Sequence, residues 1–446
     1  MKDFRLYRTL LIFIALLPSI SHAEDWFSPT GKYLTGDWAG ERTALSQMGY
    51  DFTFDYSAMA ASNIAGGYRT DTTARYSDQY TFGTKLDLEK IAGISNAQFV
   101  FSLNTRNGRD ITVDRIQDSR APVVGSGAQS NYGRGETWHI GQLWYKQQLF
   151  DNSLDIKLGR MAIGEDFDNN GCYFQNLSLC GSLAGHGSGV WYNAPVSQYG
   201  GRIRINFNKS YYAQFGAFLH NPSYLTRRGS FKMNLSGRTG NMYIGEFGYL
   251  TIMGADKLPG SYKVGGWYNT AEAADLLNDS NGNAYLISHN PARIHNGRYG
   301  GYLYFMQQVS TVGNDVNRGL SLFLHLAVND KDTATVDYQA QFGAIFKGPF
   351  SSRMKDYISF GVSKMHINQR LTHRAGIANS LKGVYDYDDP AYQPGRSAEY
   401  AAELRYSAKV TPWFTFNPNI QLIANPGGVS EIKDAWVIGT QAILSF

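Results

Sequence analysis

In several stretches of this chain, apolar and polar side chains alternate with a period of two. This period indicates an extended strand, because successive side chains of a strand point to opposite faces and so meet two different surroundings. The stretch around Tyr400 shows this most clearly, because its charged residues all fall on one face. A β-strand with one face in water and the other against an apolar medium is therefore predicted. Its polar face reads Glu399, Ala401, Glu403, Arg405 and Ser407, and its apolar face reads Tyr400, Ala402, Leu404, Tyr406 and Ala408.

Comparable segments recur along the chain and are separated by turns rich in Gly, Asn and Asp, such as 281–283. No apolar run after residue 23 reaches the about 20 residues of a membrane-spanning helix. The 48 Gly, 30 Tyr and 25 Phe suit a membrane barrel, and a bilayer admits strands only in a closed barrel. A soluble sandwich also alternates, but aromatic residues near the predicted strand ends favour the barrel. They are Tyr80, Trp144, Tyr357, Trp413 and Trp436.

The two ends of the chain carry export signals. Basic residues precede a short apolar stretch, and Ser21-His22-Ala23 ends a segment typical of a secretory signal peptide, so we expect cleavage after Ala23. The last strand alternates up to the terminal Phe446, which resembles the signal by which outer-membrane proteins are recognised for assembly. Together they predict the cell outer membrane of a Gram-negative bacterium.

These observations predict an all-β fold, a transmembrane antiparallel β-barrel over residues 50–446. About 10 residues per strand plus loops suit 16 strands, with 14 or 18 as alternatives. Residues 1–23 are assigned to the signal peptide and 24–49 to an N-terminal segment with a short helix. There, Asp37 is predicted to cap a helix over 38–48 that fills one end of the barrel.

Three blocks of residues resemble the carbohydrate-selective porin family of the OprB type. The first is LTGDWAG at 34–40 with Arg42, although the family often has Gly in place of Ala39. The second is LGR at 158–160 with GEDF at 164–167, and the third is a closing signature from Glu403 to Ala435 that contains NPGG at 425–428.

The resemblance implies a monomeric barrel that lets glucose and related sugars diffuse passively into the periplasm, without a cofactor or a bound metal. The expected partners are small neutral sugars, outer-membrane lipid and lipopolysaccharide and, from the terminal Phe446, the barrel assembly machinery, and no nucleic acid partner is expected.

A sugar-selective pore needs fixed hydrogen-bond donors and acceptors, and mixed charges supply them without a field of one sign that would select ions. Candidates for the residues that line the pore come from two sources. Strand parity supplies most of them, and the resemblance supplies Arg160, Glu165, Asp166 and Asp168. The parity of Arg160 with Leu158 requires a bend at Gly159 or the end of the strand there. Each candidate also fits a solvated lumen charge or a salt bridge in the wall. The predicted pore-lining, substrate-binding residues are Arg106, Arg160, Glu165, Asp166, Asp168, Arg202, Arg204, Glu403 and Arg405.

Cys172 and Cys180 lie eight residues apart in a stretch rich in Gly and Asn. In an oxidising compartment this spacing predicts a disulfide that staples the loop. A metal site is the alternative, but only His186 lies nearby as a further ligand.

Other functions find little support. The 41 Lys and Arg nearly balance the 37 Asp and Glu, which gives no case for nucleic acid binding. The chain has no nucleophile elbow, HExxH helix, phosphate-binding Gly-rich loop or CxxC motif, so we predict that it is not an enzyme. Two alternatives stay open: a general diffusion porin with a weak ion preference, and an adhesin or structural barrel without an open lumen, which the charged inner faces disfavour.

Overall fold

The computed structural model describes residues 26–123, 125–133, 136–254 and 257–446. Within them, sixteen antiparallel strands close into one barrel in which β1 pairs with β18, and β10 and β11 form a separate hairpin. The predicted 16-strand barrel is confirmed. The strands are β1 Tyr50–Gly67, β2 Thr73–Asp87, β3 Ala97–Gly108, β4 Trp138–Leu149, β5 Leu154–Met161, β6 Gln198–Asn206, β7 Tyr211–His220, β8 Gly240–Met253, β9 Leu258–Asn269, β10 Ala273–Asp279, β11 Ala292–His295, β12 Arg298–Gln308, β13 Gly319–Asn329, β14 Val336–Lys347, β15 Tyr357–Ile367, β16 Ala398–Thr411, β17 Phe414–Ala424 and β18 Lys433–Ser445.

The described α-helices are short and lie between strands or before the first one. None of them is long and apolar enough to cross a membrane. They are α1 Glu41–Gln47, α2 Leu88–Ala92, α3 Ala184–Gly187, α4 Tyr285–Ser288 and α5 Gln369–Lys382.

The two ends of the barrel differ in the length of their connections. Turns such as 150–153 and 207–210 lie at one end, whereas connections such as 109–137 and 162–197 lie at the other. Outer-membrane barrels have short periplasmic turns and longer extracellular loops. The short-turn end, where the last strand also finishes, is therefore the periplasmic end.

The alternation seen in the sequence matches the two faces of the wall. In β16, Tyr400 and Leu404 are 43% and 49% exposed on the outer face, whereas Glu403 and Arg405 are buried inside. Apolar side chains therefore face the lipid and charged side chains face the lumen, as the period of two predicts.

Two of the five predicted interfacial aromatic residues face inward. Trp144 packs against the buried cluster that includes Trp191, and Lys157 Nζ lies 4.3 Å from the centroid of the Trp144 ring. Tyr357 pairs with an inner-face residue of β16 and makes an edge contact with Tyr173. A position near a strand end does not decide the face, because the face follows from parity.

The N-terminal helix is shorter than predicted. Ala39 and Gly40 have φ values of 60° and 92°, which break the helical path, so α1 begins only at Glu41. Asp37 instead accepts hydrogen bonds from the N–H and the hydroxyl of Thr43, at 3.0 and 2.9 Å. The predicted signal peptide, residues 1–23, lies outside the described residues.

Candidate functional site

The connection 162–197, here called the inner segment, folds back into the barrel and bonds to several strands. Asp168 pairs with His325 of β13 at 2.5 Å, and both side chains are fully buried. On β16, the Glu403 carboxylate accepts the backbone N–H groups of 175–176, both at 2.7 Å. The inner segment therefore narrows the lumen and is held there by buried charged groups.

Cys172 and Cys180 are joined by a disulfide within the inner segment. Between them, Phe174 and Leu179 pack against buried side chains of β13 and β14, including Phe323. The disulfide thus closes a loop whose apolar side chains already rest on the wall. Among the residues that the structure describes, no group of three or more His, Cys, Asp or Glu side chains is arranged to hold a metal ion.

The connection 109–137, here called the second segment, also packs against the inside of the wall. Gln129 donates to the hydroxyl of Ser77 on β2 at 2.8 Å. Gln117 donates to the carboxylate of Glu399 on β16 at 2.9 Å. The second segment therefore spans from β2 to β16 across the seam where the barrel closes.

A cavity of about 250 Å³ with both polar and apolar lining lies between the inner segment, the second segment and β3. Two backbone hydrogen bonds, of 2.9 and 2.7 Å, join the two segments. Arg106 lines the cavity from β3, and its guanidinium donates to Gln79 Oε1 at 2.7 Å and to the carbonyl of Tyr132 at 3.1 Å. Further lining residues are Asp110, Leu177, His186 and Asn193.

Asp110 is the second residue of the second segment, close to the end of β3. Its carboxylate accepts the N–H groups of Thr112 and Gln129 at 2.5 and 3.2 Å. Burial raises the pKa of Asp110 to about 6, against the smaller lowering effect of these hydrogen bonds, because desolvation disfavours the charged form. Asp110 is therefore a titratable anchor of the second segment.

We expect the second segment to open more readily as the pH rises from about 4 to about 6. The closed segment keeps a proton on Asp110 up to a pH of about 6, whereas an opened segment releases that proton near the ordinary pKa of 3.8. The free energy that favours the closed segment therefore falls as the pH rises from about 4 to about 6, and it stays low at higher pH. The full effect is about 3 kcal/mol.

Hydrogen–deuterium exchange of the 109–137 amides, corrected for the intrinsic exchange rate, measures this opening. Asp110→Asn should remove the pH dependence between pH 4 and 6, whereas Asp388→Asn, at an exposed position, should keep it. The same pH dependence in Asp110→Asn would contradict the assignment.

Opposite charges alternate where the inner segment leaves β5. Lys157 Nζ contacts the carboxylates of Glu165 and Asp166 at 3.0 and 2.9 Å. Arg202 contacts Asp155 at 2.8 Å and Asp166 at 3.3 Å. This part of the lumen offers hydrogen-bonding groups without a net field of one sign, which suits a neutral solute.

Four of the nine predicted pore-lining residues keep partial exposure. Arg204, for example, lies over the ring of Tyr212 at 3.6 Å. Four others are at most 5% exposed, because the inner segment and the wall cover them, and their side chains do not face the open lumen in this structure. The partly exposed residues are Arg106, Glu165, Asp166 and Arg204. The buried ones are Asp168, Arg202, Glu403 and Arg405.

The ninth residue, Arg160, lies on the other face of the wall. It pairs with Tyr199, whose parity in β6 is opposite to that of the inward Arg202. Arg160 is 1% exposed, and its Nη1 donates at 2.8 Å to the carbonyl of Lys232 in the connection 221–239. The predicted place of Arg160 in the pore is therefore wrong, because β5 continues past it without turning its side chain inward.

Sequence reasoning missed the second segment and one carboxylate and one ammonium group of β5. Asp155 and Lys157 have the inward parity of their strand, so alternation alone was enough to find them. The second segment has no alternation, and its only signal was a connection far longer than the median of about 4 to 6 residues.

Comparisons with known proteins agree with this architecture. A family model described as "Carbohydrate-selective porin, OprB family" matches residues 71–446. "Porin B" of Pseudomonas aeruginosa is 44% identical over 424 residues, which cover 95% of this chain and 93% of that protein. "Putative porin QuiX" of Acinetobacter baylyi is 34% identical over 444 residues, or 98% of each chain.

A solved structure is also similar over nearly the whole chain. The high-pH structure of Pseudomonas putida OprB has a TM-score of 0.92 and 44% identity, and the match covers 94% of this chain and 100% of that one. The low-pH structure of Pseudomonas putida OprB has a TM-score of 0.59 over the same shares of the two chains.

Proposed function

Because the chain belongs to the carbohydrate-selective porin family of the OprB type and is an outer-membrane channel for the diffusion of sugars, not an enzyme, we propose that passing sugars bind in the cavity between its inner and second segments. In this proposal Arg106, Glu165, Asp166 and Arg204 supply hydrogen bonds along the path. Monosaccharides such as glucose are the preferred substrates.

The chemistry of the cavity at Arg106 carries this proposal. A sugar presents hydroxyl groups, and charge-assisted hydrogen bonds to a guanidinium or a carboxylate are stronger than neutral ones. Arg106, which is partly exposed, provides the guanidinium at this cavity, and the buried Asp110 holds the second segment that forms one of its walls. Its volume of about 250 Å³ lies below the about 300 to 1,000 Å³ of sites for drug-sized ligands, which favours a single sugar ring.

Arg106→Ala should weaken the block of single-channel current by glucose about tenfold, the effect of one charge-assisted hydrogen bond. Planar-bilayer recording with increasing glucose measures the concentration of half-maximal block. Arg228→Ala is the matched control, because Arg228 is exposed in the connection 221–239, and its block should equal that of the native channel. An equal loss in both variants, or in neither, would remove Arg106 from the sugar path.

The finer partner assignments rest on the resemblance and on the chain ends. We propose that the channel contacts lipopolysaccharide, and that Phe446 presents the strand recognised by the barrel assembly machinery. Light scattering with detergent correction distinguishes a single chain from an oligomer. The intact mass of the purified protein should be that of a chain that begins at Glu24. We propose that this chain consists of an N-terminal segment, residues 24–49, and the barrel domain, residues 50–446.

A further inference from the structure

An apolar groove with a volume of about 510 Å³ runs along the outer face of the barrel beside the N-terminal segment. Strand pairing places its wall residues in two rows across β1, β2 and β3. The groove rises from the periplasmic rim, so it lies within the periplasmic leaflet of the membrane. Its rows are Phe52, Thr84 and Phe101, then Phe54, Phe82 and Leu103, with Trp26 and Trp38 along the edge.

Thr84 makes the trough in the first row. It is the small residue between the two rings of Phe52 and Phe101, which the strand pairing brings to either side of it. The rings flank a gap of the kind that one hydrocarbon chain fills, and Phe52 and Phe82 are 42% and 41% exposed.

A polar cavity of about 380 Å³ adjoins the groove at the periplasmic rim and shares Arg42 and Phe52 with it. Lys32 and Arg42 bring two positive charges to this cavity, and Asp37 and Asp51 bring two negative charges. The apolar groove therefore opens into a polar cavity of balanced charge.

Local hydrogen bonds fix the charged groups at the junction. Arg42 donates from Nη1 and Nη2 to the carbonyls of Phe446 and Phe52, at 2.8 and 3.0 Å. Asp51 accepts the hydroxyl of Ser46 through Oδ1 at 2.6 Å. The guanidinium thus stands where the polar cavity meets the groove.

We propose that the two cavities together bind one phospholipid of the periplasmic leaflet whose headgroup carries a primary ammonium, the phosphatidylethanolamine class. One acyl chain lies in the groove, the phosphate lies beside Lys32 and Arg42, and the ammonium lies beside Asp37 and Asp51. A choline headgroup has no N–H to donate to the carboxylates, and a glycerol headgroup leaves them without a cation.

Native mass spectrometry of the full mature protein tests this site with phosphatidylethanolamine, phosphatidylcholine and phosphatidylglycerol that carry the same acyl chains. Phosphatidylethanolamine should be retained about fivefold more than either of the others, the discrimination expected of a charge-assisted hydrogen bond at a partly exposed site. Equal retention of the three lipids, or a preference for phosphatidylglycerol, would overturn the proposal.

Two variants probe the two cavities separately. Asp51→Asn should remove the preference for the ethanolamine headgroup, and Thr84→Phe should fill the trough and lower the retention of all three lipids. The matched controls are Asp151→Asn, in another periplasmic turn, and Ala408→Phe, on the outer face of β16, and both should behave like the native protein. Unchanged retention in both Asp51→Asn and Thr84→Phe would rule the site out.

Discussion

Replacing Glu403 by alanine is expected to raise the single-channel conductance and to abolish most of the block by glucose. Glu403 is 1% exposed on the inner face of β16, and its carboxylate accepts two backbone N–H groups of the inner segment at 2.7 Å each. Removing it leaves these donors without their partner, at a cost of about 3 kcal/mol. That raises the population of a detached inner segment about 100-fold.

Planar-bilayer recording of conductance and glucose block measures this effect. Glu403→Gln keeps one acceptor oxygen and should give an intermediate change. Glu431→Ala, at an exposed extracellular position, is the matched control and should leave both quantities unchanged. Native conductance and native block in Glu403→Ala would show that the inner segment does not depend on this anchor.

Arg42→Met is expected to lower the free energy of unfolding by about 2 to 4 kcal/mol, because two hydrogen bonds from a charged donor are lost. Its guanidinium joins the last residue, Phe446, to Phe52 of β1. Arg42 therefore connects the first and the last strand where they close the barrel, and this connection is here called the clasp. The midpoint of urea unfolding in detergent, followed by the gel mobility of the folded form, measures the change.

Two comparisons separate the clasp from other roles of the N-terminal segment. Arg69→Met removes an exposed arginine at the extracellular end and should leave the midpoint unchanged. Asp51→Asn should change the retention of lipid, but it should not lower the unfolding midpoint as much as Arg42→Met does. A native midpoint in Arg42→Met would contradict the clasp.

The strand pattern could be predicted because each strand obeys one local rule. In β16 that rule placed Tyr400 and Leu404 outside and Glu403 and Arg405 inside. It could not show that Glu403 is covered, because the cover comes from a segment more than two hundred residues away in the sequence. Alternation gives the face of a residue, and only tertiary structure gives what lies over that face.

Arg160 also shows what strand parity can and cannot predict. Its parity with Leu158 pointed outward, and the resemblance suggested the pore. The structure follows the parity and buries the guanidinium under 221–239, so the local rule was the better guide. The predicted start of the N-terminal helix was wrong for a different reason. A capping pattern does not reveal the positive φ values of Ala39 and Gly40.

Uptake of labelled glucose into liposomes that contain the purified channel tests the central claim most directly. If sugars bind in the cavity at Arg106, the initial rate should saturate with glucose concentration, and a second monosaccharide should compete. A rate that stays linear in glucose concentration, without competition between sugars, would contradict a binding site in the lumen and would leave a general diffusion pore.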